Sequence, residues 1–239
     1  MNNKITRDRN CRRVKLMKPE ETVVTNKAEE YLETIYRLES KVGFARTMAL
    51  SRELGVVPGS ITNTIEILER KGLVIHRPYK GVTLTNNGRK IASSILRRHR
   101  LAERLLTDFF HLDWSEVHDP ACKLEHALSP EIIKPLEKAL GHPKRCPHGN
   151  PIPTNCGAIL EEKTVALTEL DTKTSGVIIK ITEEKAEILQ QLTKLKLTPG
   201  ERVQVENIVP GGSVTIRVRN ESYIIDHTVA SIIYVKKVK

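Results

Sequence analysis

VVPGSITNTIEILERKGLVIHRPYKGVTLT, residues 56–85, decides the fold of the N-terminal part. Pro58 and Ser60 suit a helix start, and Ile61, Ile65 and Leu68 form an apolar stripe at helical spacing. Gly72 suits the stop. Two short strand-like runs follow, around a basic turn, Arg77-Pro78-Tyr79-Lys80-Gly81. Upstream, RTMALSREL at 46–54 reads as a short helix ending at Gly55, and KAEEYLETIYRLESK at 27–41 as an amphipathic one. Helix, turn, helix and a two-stranded wing make a winged helix-turn-helix over 23–85.

Working outward, residues 1–22 are polar and basic and read as a flexible arm. Beyond the wing, a long helix is expected from about 86 to 110, another at 114–128 after Asp113, and a third near 131–140 opened by Pro130. Pro120 interrupts the middle one. It either kinks that helix or starts a new one capped by Asp119, which would take His118 off the stripe of Cys122, Glu125 and His126. The stretch HPKRCPHGNPIPTNCG at 142–157 is rich in Pro, Gly and Asn and reads as a linker. The runs TVALTEL, GVIIKI, RVQVENI, SVTIRVR, ESYIID and ASIIYVK then give short strands, interrupted by one helical insert, EEKAEILQQLTKLKL. The expected fold is α+β and multidomain, with boundaries at 1–22 (arm), 23–85 (winged helix-turn-helix), 86–145 (all-α dimerisation domain), 146–160 (linker) and 161–239 (SH3-like β-barrel).

The charge is lopsided. Of a net +10, residues 1–100 hold 21 Lys/Arg against 10 Asp/Glu, and the rest are nearly balanced at 18 against 19. A basic half beside a neutral half points to a polyanion for the basic half. Aromatics are only 4%, so the cores must be built from Ile, Leu and Val. No secretory signal and no apolar run approaching the length of a membrane span is present, so a cytoplasmic, non-membrane protein with reduced thiols is expected.

Metal chemistry is concentrated between residues 99 and 126. His99 and Glu103 stand four apart, and His118, Cys122, Glu125 and His126 follow. At about 100° per residue, each set can share a helix face. Thiolate, imidazole and carboxylate together suit Fe(II), Mn(II), Co(II), Ni(II) or Zn(II) better than Mg or Ca. A metalloenzyme is disfavoured because HExxH and a Gly-rich phosphate loop are absent. An iron–sulfur regulator is disfavoured because the spacings of Cys11, Cys122, Cys146 and Cys156 match no common cluster motif. Cys146, His148 and Cys156 leave room for a structural zinc site.

The run HRLAERLLTDFFHLDWSEVHDPACKLEHALS at 99–129, preceded by the winged helix-turn-helix and followed by GNPIP, resembles the diphtheria toxin repressor family. The phrase LKLTPGERVQV adds a weaker resemblance to ferrous-iron transport accessory domains. The resemblance implies a homodimeric, metal-dependent repressor of double-stranded operator DNA rather than an enzyme. It implies one metal site from His99, Glu103 and His118, and a regulatory one from Cys122, Glu125 and His126 with Glu30 of the first helix. Iron-sensing members typically carry Met at the position of Glu30. Manganese-sensing members carry Asp there, and Glu at the position of Cys122. This chain mixes the two patterns, and the thiolate tilts the expectation to Fe(II), with Mn(II) the alternative. The C-terminal ligand positions of some members fall on Lys185 and Ile188, which are unsuitable donors, so no metal role is assigned there. On the DNA side, Pro58, Ser60, Thr62 and Asn63 open the recognition helix, with Asn63 suited to adenine. Arg77, Tyr79 and Lys80 of the wing would hold the backbone.

Overall fold

The computed structural model describes residues 24–238. The basic arm expected at 1–22 lies outside the described residues. The chain divides into two compact units, Met1–Ser93 with Asn155–Ala158, and Ser94–Thr154 with Ile159–Lys239.

In the first unit, α1 spans Asn26–Val42, and its N-cap Thr25 accepts a hydrogen bond from the Ala28 amide. α2 (Thr47–Leu54) and α3 (Pro58–Arg70) follow, with Pro58 in the first turn of α3 where its missing N–H costs nothing. The turn between them is closed by the Ser51 hydroxyl, which donates to the Val56 carbonyl at 2.6 Å. β1 (Val74–Arg77) and β2 (Gly81–Leu84) pair antiparallel, so the wing forms where the basic turn was read. Leu50, Ile61, Ile65 and Leu68 pack under Tyr31, Leu32 and Ile35 of α1 to form the aliphatic core. Glu39 ties α1 to the wing and to the next helix: it accepts from the Leu84 amide at 3.2 Å and pairs with Arg89 at 2.6 Å. Thr85 caps that helix, α4 (Asn86–Asp108), by accepting from the Gly88 amide. A Cβ at position 88 would lie 1.9 Å from the Leu73 carbonyl, so only glycine lets the helix start so close to β1.

The second unit holds the rest of α4, then α5 (His118–Glu125) and α6 (Pro130–Ala139). α5 is shorter than the helix expected at 114–128. Pro120 neither kinks a longer helix nor follows an Asp119 cap: the cap is Val117, and Asp119 and Pro120 lie in the first turn. His118 therefore stays one turn from Cys122.

The C-terminal part is a six-stranded antiparallel sheet in the order β3-β8-β4-β5-β6-β7. These strands are β3 (Val165–Ala166), β4 (Ser175–Ile181), β5 (Arg202–Ile208), β6 (Ser213–Val218), β7 (Glu221–Asp226) and β8 (Ile233–Val238). The helical insert is α7 (Ala186–Lys194). Two strand readings shorten. TVALTEL keeps two strand residues before a 3-10 turn, and the start of ASIIYVK belongs to a short helix, α8 (His227–Ser231). Alternating positions of β5 and β6 enter an aliphatic core with Leu189 and Leu192 of α7. Among the described residues, no helix is long and apolar enough to cross a membrane.

The Pro-rich stretch is a linker only in chain order. Residues 146 and 148–153 are buried. Cys146 and Asn150 form a tight hairpin, with the Cys146 amide donating to the Asn150 carbonyl and Arg145 bridged to Pro151. Arg97 and Arg100 of α4 donate to the carbonyls of Pro153 and Pro151, and Arg97 also pairs with Glu137 at 2.5 Å. On the other side the Ile181 amide donates to the His148 carbonyl, and the Asn150 side chain donates to the Ile181 carbonyl. The hairpin is thus fixed to both α4 and β4. Gly149 (φ 82°) sits where a Cβ would meet the Ile179 carbonyl at 1.9 Å. Gly149→Ala is expected to lower stability by about 2 kcal/mol or more, because left-handed strain and the clash add. Urea unfolding checks this; an unchanged midpoint would mean that the hairpin does not hold to β4.

Candidate metal centre and nucleic-acid interface

The metal-type side chains converge in the second unit. α4 presents His99 and Glu103 one turn apart, both fully buried. α5 presents His118, Cys122 and, at its end, Glu125. His99 is held from both sides: Nδ1 lies 2.7 Å from Glu125 Oε2, and Nε2 lies 3.1 Å from Glu103 Oε1. Cys122 Sγ is 3.9 Å from His99 Nδ1 and 3.7 Å from His118 Nε2. The two ligand sets expected from the sequence therefore meet at His99 instead of standing apart. His126 just follows the helix and reaches the cluster through Glu125, at 3.5 Å. Glu30 is exposed on α1 and belongs to none of the ligand groups found among the described residues.

Sequence reasoning missed one contributor and misjudged two others. Glu184, in the turn before α7, approaches His118 Nδ1 at 3.2 Å, so the C-terminal part does bring a carboxylate here. The donor lies one residue before the unsuitable Lys185; the adjacent Glu183-Glu184 pair was the available signal. Cys146 and His148 join Glu103 and Glu184 as a group, instead of pairing with Cys156. His148 Nδ1 lies 3.1 Å from Glu103 Oε1, while its Nε2 is 2.7 Å from the Trp114 carbonyl. That carbonyl can only accept, so Nε2 carries the proton and Nδ1 is turned to the carboxylate. The Trp114 ring stands 5.6 Å from the imidazole, and its indole N–H donates to Thr193 of α7 at 2.9 Å.

The donors fit a divalent cation. Glu103 Oε2 is buried without a hydrogen-bond partner, an expensive state for a carboxylate unless a cation approaches. Imidazole, thiolate and carboxylate are the borderline donors that bind first-row metals. Burial alone would lower the pKa of His118. Hydrogen bonds with Cys122, Glu103 and Glu184, together with the charge of Glu184, outweigh it and push His118 up to about 11. His148, against the same desolvation, is raised to about 11 by Glu103 and Cys146. Burial opposes ionisation of Glu103 too, but the charges of His99 and His148 hold it well below the ordinary carboxylate range. Burial would raise the Cys122 thiol, yet His118 and His99 bring it below its usual value. Cys146 goes the other way, raised by burial and by the Glu103 charge.

In the first unit, Thr62 and Asn63 are exposed on the first turns of α3, and Ser60 is half-buried beside them. The Thr62 hydroxyl donates back to the Pro58 carbonyl at 3.3 Å. On the wing, Arg77, Tyr79 and Lys80 are all exposed, and Tyr79 (φ 63°) turns fully outward. Polar helix start and basic wing are thus both presented to solvent.

Without metal, the cluster is an ion-pair network, and its pH response has a definite sign. A depressed carboxylate stabilises the fold above its ordinary value, here 4.5, and the contribution is lost as pH falls below it. The raised imidazoles act oppositely, in full below 6.5 and losing their contribution as pH rises towards about 11. Chelator-treated protein is therefore expected to lose stability between pH 5 and lower values in urea melts, as an order-of-magnitude window. Glu103→Gln should flatten that dependence; an unaltered acid slope would place the sensitivity elsewhere.

Three family profiles match the chain in order. They are the N-terminal DNA-binding domain of iron-dependent repressors at residues 23–82, the metal-binding and dimerisation domain of the same repressors at 85–154, and the FeoA domain at 165–237. The iron-dependent repressor IdeR of Mycobacterium leprae is 34% identical over 222 residues, covering 88% of this chain and 96% of the relative. The crystal structure of T. acidophilum IdeR superposes with a TM-score of 0.78 at 31% identity, covering 88% of this chain and 97% of that one. A manganese-dependent transcriptional repressor in complex with manganese gives a TM-score of 0.81 at 27% identity, covering 88% and 99%. The chain accordingly belongs to the iron-dependent, or diphtheria toxin, repressor family: it is a metal-dependent DNA-binding repressor of metal-homeostasis genes, with a candidate divalent-metal site in its buried His/Cys/Glu cluster.

Proposed function

We propose that this chain is a homodimeric repressor that grips double-stranded operator DNA when Fe(II) is bound at the cluster on α4 and α5. The observation that carries the reading is the buried meeting of His99, Glu103, His118, Cys122 and Glu125, ionisable groups that need a cation or protons among them. His99, Glu103 and His118 serve one metal position. Cys122, Glu125 and His126 serve the regulatory one, together with Glu30 from the helix-turn-helix part. A bound divalent cation supplies the positive charge that replaces protons on the imidazoles and holds thiolate and carboxylates in one coordination shell. Cys122 supports iron, since a thiolate favours the softer metal. The similarity to IdeR, named for iron dependence, supports it too. Mn(II) is the second reading. The carboxylate of Glu30 and the similarity to a repressor solved with manganese favour it. Co(II), Ni(II) and Zn(II) are expected to substitute in vitro.

On the DNA side, Pro58 and Ser60 start the recognition helix so that its positive end meets phosphate. Thr62 and Asn63 read base edges, and Arg77, Tyr79 and Lys80 fix the wing on the backbone. The C-terminal sheet with α7 is read as an SH3-like module of the ferrous-iron transport accessory type.

The test is anaerobic gel-shift titration with Fe(II) and Mn(II) separately. Fe(II) is expected to activate operator binding at lower concentration, and chelation to abolish it. Equal binding after exhaustive chelation would remove metal dependence from this chain; activation by Mn(II) alone would decide for the second reading. Glu30→Ala is expected to lose metal-activated binding while keeping its circular dichroism. Asn63→Ala should cost roughly 1–3 kcal/mol on operator and far less on random DNA. Equal losses on both would make Asn63 a phosphate contact.

A further inference from the structure

Two of the ligand groups in the second unit overlap. One is His99, Glu103, His118 and Glu184, and the other is Glu103, Cys146, His148 and Glu184. Within each, the ligand atoms lie within 4.8 Å of one another. They share both carboxylates and differ in everything else. Two separate one-metal sites would compete for Glu103 and Glu184.

The carboxylate oxygens are already divided between the two sides. Glu184 turns Oε2 to His118 Nδ1 at 3.2 Å and Oε1 towards His148 Nδ1 at 3.9 Å. Glu103 Oε1 lies 3.1 Å from both His99 Nε2 and His148 Nδ1, and its Oε2 is buried without a hydrogen-bond partner. Each carboxylate therefore faces an imidazole on either side, which is how a carboxylate bridges two cations. Charge argues the same way. Glu103, Glu184 and a Cys146 thiolate carry three negative charges in a largely buried place. One divalent cation leaves the cluster net negative, whereas two leave it a single charge from neutral.

Resting on the reading that this chain takes up divalent metal, we propose that Glu103 and Glu184 bridge a pair of divalent cations. His99 and His118 complete the coordination of one, and Cys146 and His148 that of the other. The pair is asymmetric. The nitrogen–carboxylate half suits a harder ion and the thiolate half a softer one. The hairpin that carries Cys146 and His148 also fixes the helices to the sheet. Filling the second half therefore ties the C-terminal part of this unit to α4.

The test loads the full chain anaerobically with Co(II) chloride and reads ions per chain and X-ray absorption. Carboxylate-bridged pairs place their metals about 3.5–4 Å apart, close enough for a metal–metal scattering shell. The wild type is expected to show that shell. Cys146→Ser and Glu184→Gln are expected to lose it, each retaining at least one ion fewer per chain. Cys122→Ser, outside the shared set, should keep it. Bound Co(II) with no metal–metal shell, at a stoichiometry that Cys146→Ser leaves unchanged, would overturn the bridged pair and leave the metal-responsive function standing. A wild-type chain that binds no Co(II) would overturn both. Circular dichroism of each variant separates lost metal from lost fold, and a folded Glu184→Gln that keeps the shell also overturns the proposal.

Discussion

A carboxylate with no water around it governs this molecule. Glu103 is fully buried on α4, and three imidazoles from three different segments turn towards it: His99, His118 and His148. A bare carboxylate there would cost several kcal/mol. The folded chain must bring positive charge to it, as protons on the imidazoles or as metal. The same requirement gathers α4, α5, the 144–152 hairpin and the turn before α7 around one point. A site that needs charge from four segments can both sense a cation and hold those segments together.

The helices were legible because their signals are local. The stripe Ile61, Ile65 and Leu68 and the start at Pro58 gave α3 almost to the residue. The wing followed from one basic turn between two apolar runs. The strands of the C-terminal part were legible where side chains alternate between core and solvent, as in β5 and β6. They failed at ASIIYVK, where Asp226 opens a short helix before β8, because an apolar run that short fits either conformation.

The site was legible in its helical half only. His99 and Glu103, and His118 and Cys122, are neighbours through helical spacing, which a sequence displays. Glu184 reaches His118 across 66 positions of chain, and no periodicity marks it. The 142–157 stretch misled for a related reason. Proline, glycine and asparagine mark where the backbone turns, but not whether the turn is buried. Here Arg97 and Arg100, side chains on another element, saturate its carbonyls and hold it inside. Pro120 shows the converse: a helix breaker in mid-stripe is a helix beginner when it falls in the first turn, and His118 keeps its place.

Trp114 is the single tryptophan of the chain. Its carbonyl holds His148, its ring stacks obliquely near that imidazole, and its indole nitrogen is anchored to α7. Nature has thereby placed one chromophore where the hairpin, the metal-type ligands and the C-terminal helix meet. The emission of this protein is consequently free of background from any other indole, and its colour and intensity report on a single junction in the interior.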